Sequence, residues 1–168
     1  MSTQTPNTSS EAAKPGYVLA LEKAYGPPSQ EGFGSAVFLE QAGEDSDLEE
    51  VARKYYGHFV GAKWAERGEE TWMSPWKEVY GRKSGAKHDI IKELQGIDDF
   101  NASMSVPMIL DVVEDADAAK KALSGAYDAP ELADLRVYTI GDGEAMSGLL
   151  IAGRRENGEA TLLVFLMD

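Results

Sequence analysis

Apolar residues recur along the chain in two distinct rhythms, helical in the first half and strand-like in the second. Tyr17, Ala20, Leu21, Ala24 and Tyr25 are spaced three and four apart and stop at Gly26-Pro27-Pro28, which predicts a short helix. After a polar loop over 30–34, the run Ser35-Ala36-Val37-Phe38-Leu39-Glu40 is short, apolar and bounded by turn residues, as a strand is. Ser46-Asp47-Leu48-Glu49 has the Ser-x-x-Glu spacing of a capping box. It predicts a helix that buries Leu48, Val51, Ala52, Tyr55, Phe59 and Ala62 and reaches about Ala65. Ser74-Pro75 fits an N-cap followed by the position that tolerates proline, with Trp76, Val79 and Tyr80 on one face. Residues 87–94 predict a further short helix with Ile90, Ile91 and Leu94 inward, and 98–103 a loop.

From Met104 the strand rhythm takes over. Residues 106–113 are β-prone, with Pro107 near the start where a missing N–H is tolerated. Asp115 can cap a helix burying Ala116, Ala119, Ala122 or Leu123, and Tyr127, ending near Pro130. Residues 135–140 read as a strand. The apolar runs over 147–153 and 161–167 flank Asn157-Gly158, a strong hairpin signal, and their continuity predicts burial on both faces near the middle of a sheet. Without a regular βα repeat, this order predicts an α+β fold. It is a single domain over 16–168, with a mainly antiparallel sheet of about five strands ending in a C-terminal hairpin and helices packed on one face. Residues 1–15, rich in Ser, Thr, Pro and Asn, are expected to form a disordered tail.

Composition narrows the function. Sixteen Lys and Arg against 29 Asp and Glu leave a net charge of −13 in 168 residues. An acidic surplus repels phosphate backbones and anionic membranes, so neither nucleic acid nor a membrane is an expected partner. The charge is uneven: residues 1–51 hold 2 basic and 9 acidic groups, 52–95 hold 9 and 6, and 96–168 hold 5 and 14. With no cysteine, thiol catalysis, disulfides and Cys-based metal sites are excluded, and no cofactor is expected. The longest apolar run falls far short of the roughly 20 residues of a membrane span, and residues 1–10 lack the basic and apolar segments of a secretory signal. A cytoplasmic location is expected.

Candidate chemistry is sparse. No Gly-x-Ser-x-Gly elbow is present, and Gly81-Arg82-Lys83-Ser84-Gly85-Ala86-Lys87 has the wrong spacing for a phosphate-binding P-loop. His58 and His88 fall in separate segments, so no metal site is expected from them. Seven aromatic residues lie within 55–80, out of 15 in the chain. If one helix carries Trp72, Trp76 and Tyr80, they share a stripe at i, i+4 and i+8 that could bind a partner or an apolar ligand. Arg82 and Lys83 would lend it a basic rim; the alternative is that these rings pack the core. Asp98-Asp99 and Asp142 with Glu144 are the carboxylate clusters available for acid–base or cation chemistry, although Asp142-Gly143 also suits a tight turn.

The ending from Ile140-Gly141-Asp142-Gly143 through Phe165 is similar to the end of the small acidic immunity proteins of the SMI1/KNR4 superfamily; that family's N-terminal signature is absent. The resemblance covers less than a quarter of the chain and implies an immunity-type, inhibitor-binding protein. Two further readings stand beside it. One is an acidic, non-enzymatic interaction module that binds a protein partner or itself as a homo-oligomer. The other is an enzyme or small-ligand or cation binder built on the carboxylates.

Overall fold

The computed structural model describes residues 14–41, 47–83 and 85–167. Most of the tail expected over 1–15, the capping Ser46, and Glu44, Asp45 and Ser84 lie outside them.

Five strands form one sheet in the order β1-β5-β4-β3-β2, each antiparallel to its neighbours: β1 Gly34–Gln41, β2 Lys77–Gly81, β3 Leu132–Gly141, β4 Ser147–Arg155 and β5 Glu159–Met167. The fold is α+β, and the expected C-terminal hairpin is β4–β5. Its turn ends on Gly158, whose φ of 92° costs a residue without Cβ nothing, and the Asn157 side chain accepts the Glu159 N–H at 2.9 Å. Residues 149–152 of β4 and 160–166 of β5 are buried without interruption, so this pair needs cover on both faces.

One face carries Val37, Leu135, Val137, Leu149, Ile151, Leu163 and Phe165. The expected helical layer packs there: α1 (Gly16–Tyr25), then, after the short helices of the other face, α5 (Ile90–Gln95), α6 (Phe100–Pro107) and α7 (Ala116–Tyr127). The opposite face, with Phe38, Tyr138, Ile140, Leu150, Leu162 and Val164, has a second cover made by α2 (Leu48–Val60) and by Trp72. Between them run two short helices, α3 (Ala62–Arg67) and α4 (Glu69–Met73).

Local chemistry sets the element boundaries. Asp47 caps α2 by accepting the Glu49 N–H, and α2 buries Leu48, Val51, Ala52, Tyr56 and Phe59. The helix expected to continue to Ala65 breaks at Gly61, where φ is +69° and an added Cβ would sit 2.9 Å from the Gln30 carbonyl oxygen. Within α2 it is Tyr56 that is buried, with Tyr55 partly buried beside it, and beyond the break Ala62 is exposed. Asp89, Asp99 and Asp115 accept the N–H groups of Lys92, Ala102 and Ala118 and so start α5, α6 and α7.

Three expectations are overturned. Residues 74–80 are not a helix: after Pro75 the chain runs extended as β2 along β3, with a bulge between Glu78 and Tyr80. Thr139 on β3 donates to the Pro75 carbonyl at 2.6 Å and ties the entry down. Of the loop expected over 98–103 only Asp98 and Asp99 precede regular structure; Asp99 caps a helix that begins at Phe100. Residues 106–113 are not a strand but the end of α6 followed by a π-helical turn, Met108–Val112. Val106, Ile109 and Leu110 are buried at helical spacing, and the Tyr25 hydroxyl donates to the Ile109 carbonyl at 2.9 Å. Pro107 has no N–H for the ordinary helical ladder, which wide-turn winding accommodates.

The centre of the sheet tolerates no extra atom at Gly148, where a Cβ would lie 1.7 Å from the Phe165 carbonyl oxygen. Gly148→Ala should therefore cost about 3 kcal/mol or more, read as a lower urea midpoint. An unchanged midpoint would mean that β4 and β5 do not approach as described.

Candidate functional site

The aromatic segment does not form one stripe. Trp72, on α4, is 1% exposed, and its indole N–H donates to the Lys63 carbonyl at 3.0 Å. Trp76 lies flat between Tyr138 and Tyr56, with ring centroids 4.6 and 5.6 Å away, and Tyr56 meets Trp64 edge-on at 5.2 Å. The Trp76 N–H donates to Glu49 at 2.9 Å. Tyr56 bonds with its hydroxyl to the Trp72 carbonyl at 2.6 Å and accepts the Gly141 N–H at 3.0 Å, joining α2, α4 and β3. Burial raises its phenol well above the usual range. These rings are the packing of one face.

Tyr80 packs on the other face, against the α5 side of the sheet. Strand geometry, reset by the bulge, separates it from Trp76. Its hydroxyl donates to Glu93, and burial followed by that carboxylate pushes it up to about 12. Arg82 is 5% exposed and donates through Nε to Glu93 at 2.9 Å and through Nη1 to the Tyr127 carbonyl at 2.7 Å, with Asp128 at 3.4 Å. Burial works to raise Glu93, but hydrogen bonds from Arg82 and Tyr80 outweigh it and hold the carboxyl below its ordinary value. Of the expected basic rim only Lys83 is exposed, at the edge of a 200 Å³ cavity shared with His88 and Asp134.

The carboxylate clusters are also engaged. Asp99 accepts from Lys77 at 2.7 Å and from the Ala102 N–H, and these contacts hold it low. Asp98 is exposed. Asp142 has a fully buried side chain: one oxygen accepts the N–H groups of Glu144 and Met146 at 2.8 and 3.0 Å, the other accepts Arg67 at 2.8 Å. The second nitrogen of Arg67 reaches Glu144 at 2.7 Å. This is a turn latched to α3 by a guanidinium fork. Beside it a 390 Å³ groove is lined by Trp72, Met146, Ala145 and Lys63. The start of α6 and the β3–β4 turn reach the same end of the sheet, where Asn101 and Glu144 line a 120 Å³ cavity. Among the described residues no hydrogen bond or ion pair joins Asp98 or Asp99 to Asp142 or Glu144.

His58 lies against Phe38 and Tyr55, whereas His88 faces the Ala129 carbonyl on the opposite side of the sheet. Among the described residues no three His, Asp or Glu side chains converge as a metal site, and no helix is long and apolar enough to cross a membrane.

What sequence reasoning missed is on α6. Phe100 is 78% exposed and Met104 61%, one turn apart on the face opposite the buried Ala102, Ser105 and Val106. The Asp99-x-x-Ala102 start was the available signal for this helix; treated as a loop, the segment could show no stripe.

The chain matches no protein-family model, no curated protein and no solved structure.

Glu93 is depressed in the folded chain, so it contributes stability above the unfolded carboxyl value of about 4.3, and that contribution is lost as the pH falls through the folded value. Glu93→Gln should cost about 2 kcal/mol at neutral pH, and the gap to wild type should close below about pH 4. Urea midpoints across that range test it; a gap independent of pH would show that the carboxylate charge is not what counts.

Proposed function

We propose that this chain is a non-catalytic protein-interaction module that works in the cytoplasm and binds a partner through the outer face of α6. The observation that carries the reading is the exposure of Phe100 and Met104, the two most exposed large apolar side chains among the described residues. Neighbouring exposed apolar residues on a helix whose inner face is already packed serve no purpose in the fold, and such patches mark binding surfaces. The ionisable groups give the same direction. Asp142 and Glu144 share Arg67, Asp99 holds Lys77 and Glu93 holds Arg82, pairings that tie elements of the fold together. Trp72 and Trp76, attractive as binding anchors by their type, serve as core.

The test separates surface from core. Phe100→Ser/Met104→Ser removes only exposed groups and should leave stability within about 0.5 kcal/mol, while retention of the partner from a lysate of the source cell is lost. Trp72→Ala should instead cost about 3–5 kcal/mol and lose the partner only by unfolding. A folded double variant that retains the partner as well as wild type would overturn the assignment.

A further inference from the structure

The acidic groups around the exposed pair specify what can cover it. Residues 96–117 contain Asp98, Asp99, Asp111, Glu114, Asp115 and Asp117 and not one Lys or Arg. Phe100 and Met104 stand in the middle of that stretch. Asp98 is exposed just before α6, and Asp111, in the π-helical turn that follows α6, has a side chain 60% exposed. Glu114, Asp115 and Asp117 are exposed at the far end. Glu144, 72% exposed, adds a carboxylate by the start of α6. The cations that reach this face are fewer: Lys77 on Asp99, Arg67 on Glu144 and Lys120 on Asp111 at 3.3 Å.

Resting on the interaction-module reading above, we infer that the α6 face docks a cationic amphipathic helix of a partner protein. Two apolar anchors one turn apart, about 6 Å between β-carbons, match the i and i+3 or i+4 positions of an amphipathic helix laid alongside. Acids at both ends of the stripe match Lys or Arg flanking those anchors, which sets the register and speeds encounter. A second copy of this chain fits poorly, because it would press two such acidic faces together between molecules that each carry −13. Anionic lipid and nucleic acid are repelled for the same reason.

A designed peptide of Leu and Lys, about 18 residues or five helical turns long, is the probe, with an uncharged analogue in which Gln replaces Lys. Each is titrated by fluorescence anisotropy into the full chain and into Phe100→Ser/Met104→Ser, with hydrogen exchange of the amides over 100–106 recorded in the complex. The expected result has four parts. The Leu–Lys peptide binds and protects α6; the double variant weakens it about tenfold or more; raising salt from about 0.05 to 0.5 M weakens it further; and the Leu–Gln analogue binds far less. Equal binding of the two peptides, both lost in the variant, overturns the cationic class while leaving the docking face intact. Leu–Lys binding unaffected by the double substitution overturns the docking face as well. Concentration-dependent dimerisation that disappears in the variant assigns the stripe to a second copy and overturns the inference.

Discussion

The structure depends on the pairing of β4 with β5, two strands whose successive residues are apolar. A strand normally sends alternate side chains to two different environments. Here Leu162, Val164 and Leu166 go to one face while Leu163 and Phe165 go to the other, and all five are buried. Water cannot be left on either side, so the chain must supply two covers. The rest of the fold follows from how a chain of this length makes them. The first-face cover comes from α1 and the helices after β2; the second is α2, too narrow by itself, completed by Trp72 and the ring stack of Trp76 on Tyr138.

That division explains why the aromatic residues could not remain a ligand stripe. A helix through residues 72–80 would have put Trp72, Trp76 and Tyr80 on one line. The available edge of β3 draws residues 77–81 into a strand instead. Four positions apart, Trp76 and Tyr80 would share a face of a regular strand; the bulge between Glu78 and Tyr80 shifts the alternation, and the two rings belong to different cores. The basic residues that followed in sequence go with Tyr80: Arg82 is spent on Glu93 and the Tyr127 carbonyl, closing the gap between β2, α5 and α7.

Elements whose signals are local were legible. Asn157-Gly158 between two apolar runs, Asp115 before an alanine-rich helix, and the Gly-Pro-Pro stop after Tyr25 each act within a few residues, and each appears in the structure. Elements decided at a distance were not. Residues 106–113 satisfy a strand's propensity, but Asp99 starts a helix upstream of them, and Ala102, Val106 and Ile109, at helical spacing, bury themselves against the sheet through it. Pro75 is compatible with a helix start and equally with the extended entry that the Thr139 hydroxyl fixes from across the sheet. The candidate site shared this fate. Residue type singled out Trp, Arg and paired carboxylates, which are also the groups a fold uses to lock itself, whereas Phe100 and Met104 are ordinary in type and unusual only in where the helix points them.

The charge distribution ties the fold to the surface. Cations of the middle segment are drawn inward as latches: Arg67 closes the β3–β4 turn, Arg82 the β2 end, and Lys77 the start of α6. Each neutralises carboxylates within the molecule, so the surplus acid is concentrated where no cation is available in sequence, over residues 96–117. α6 runs through that stretch with its inner face committed to β4 and its outer face carrying two apolar side chains. Apolar exposure and like charge would each be unfavourable alone, the first by contact with water and the second by self-repulsion. Both penalties would be relieved together by the surface proposed to dock there, apolar along one line and positive beside it.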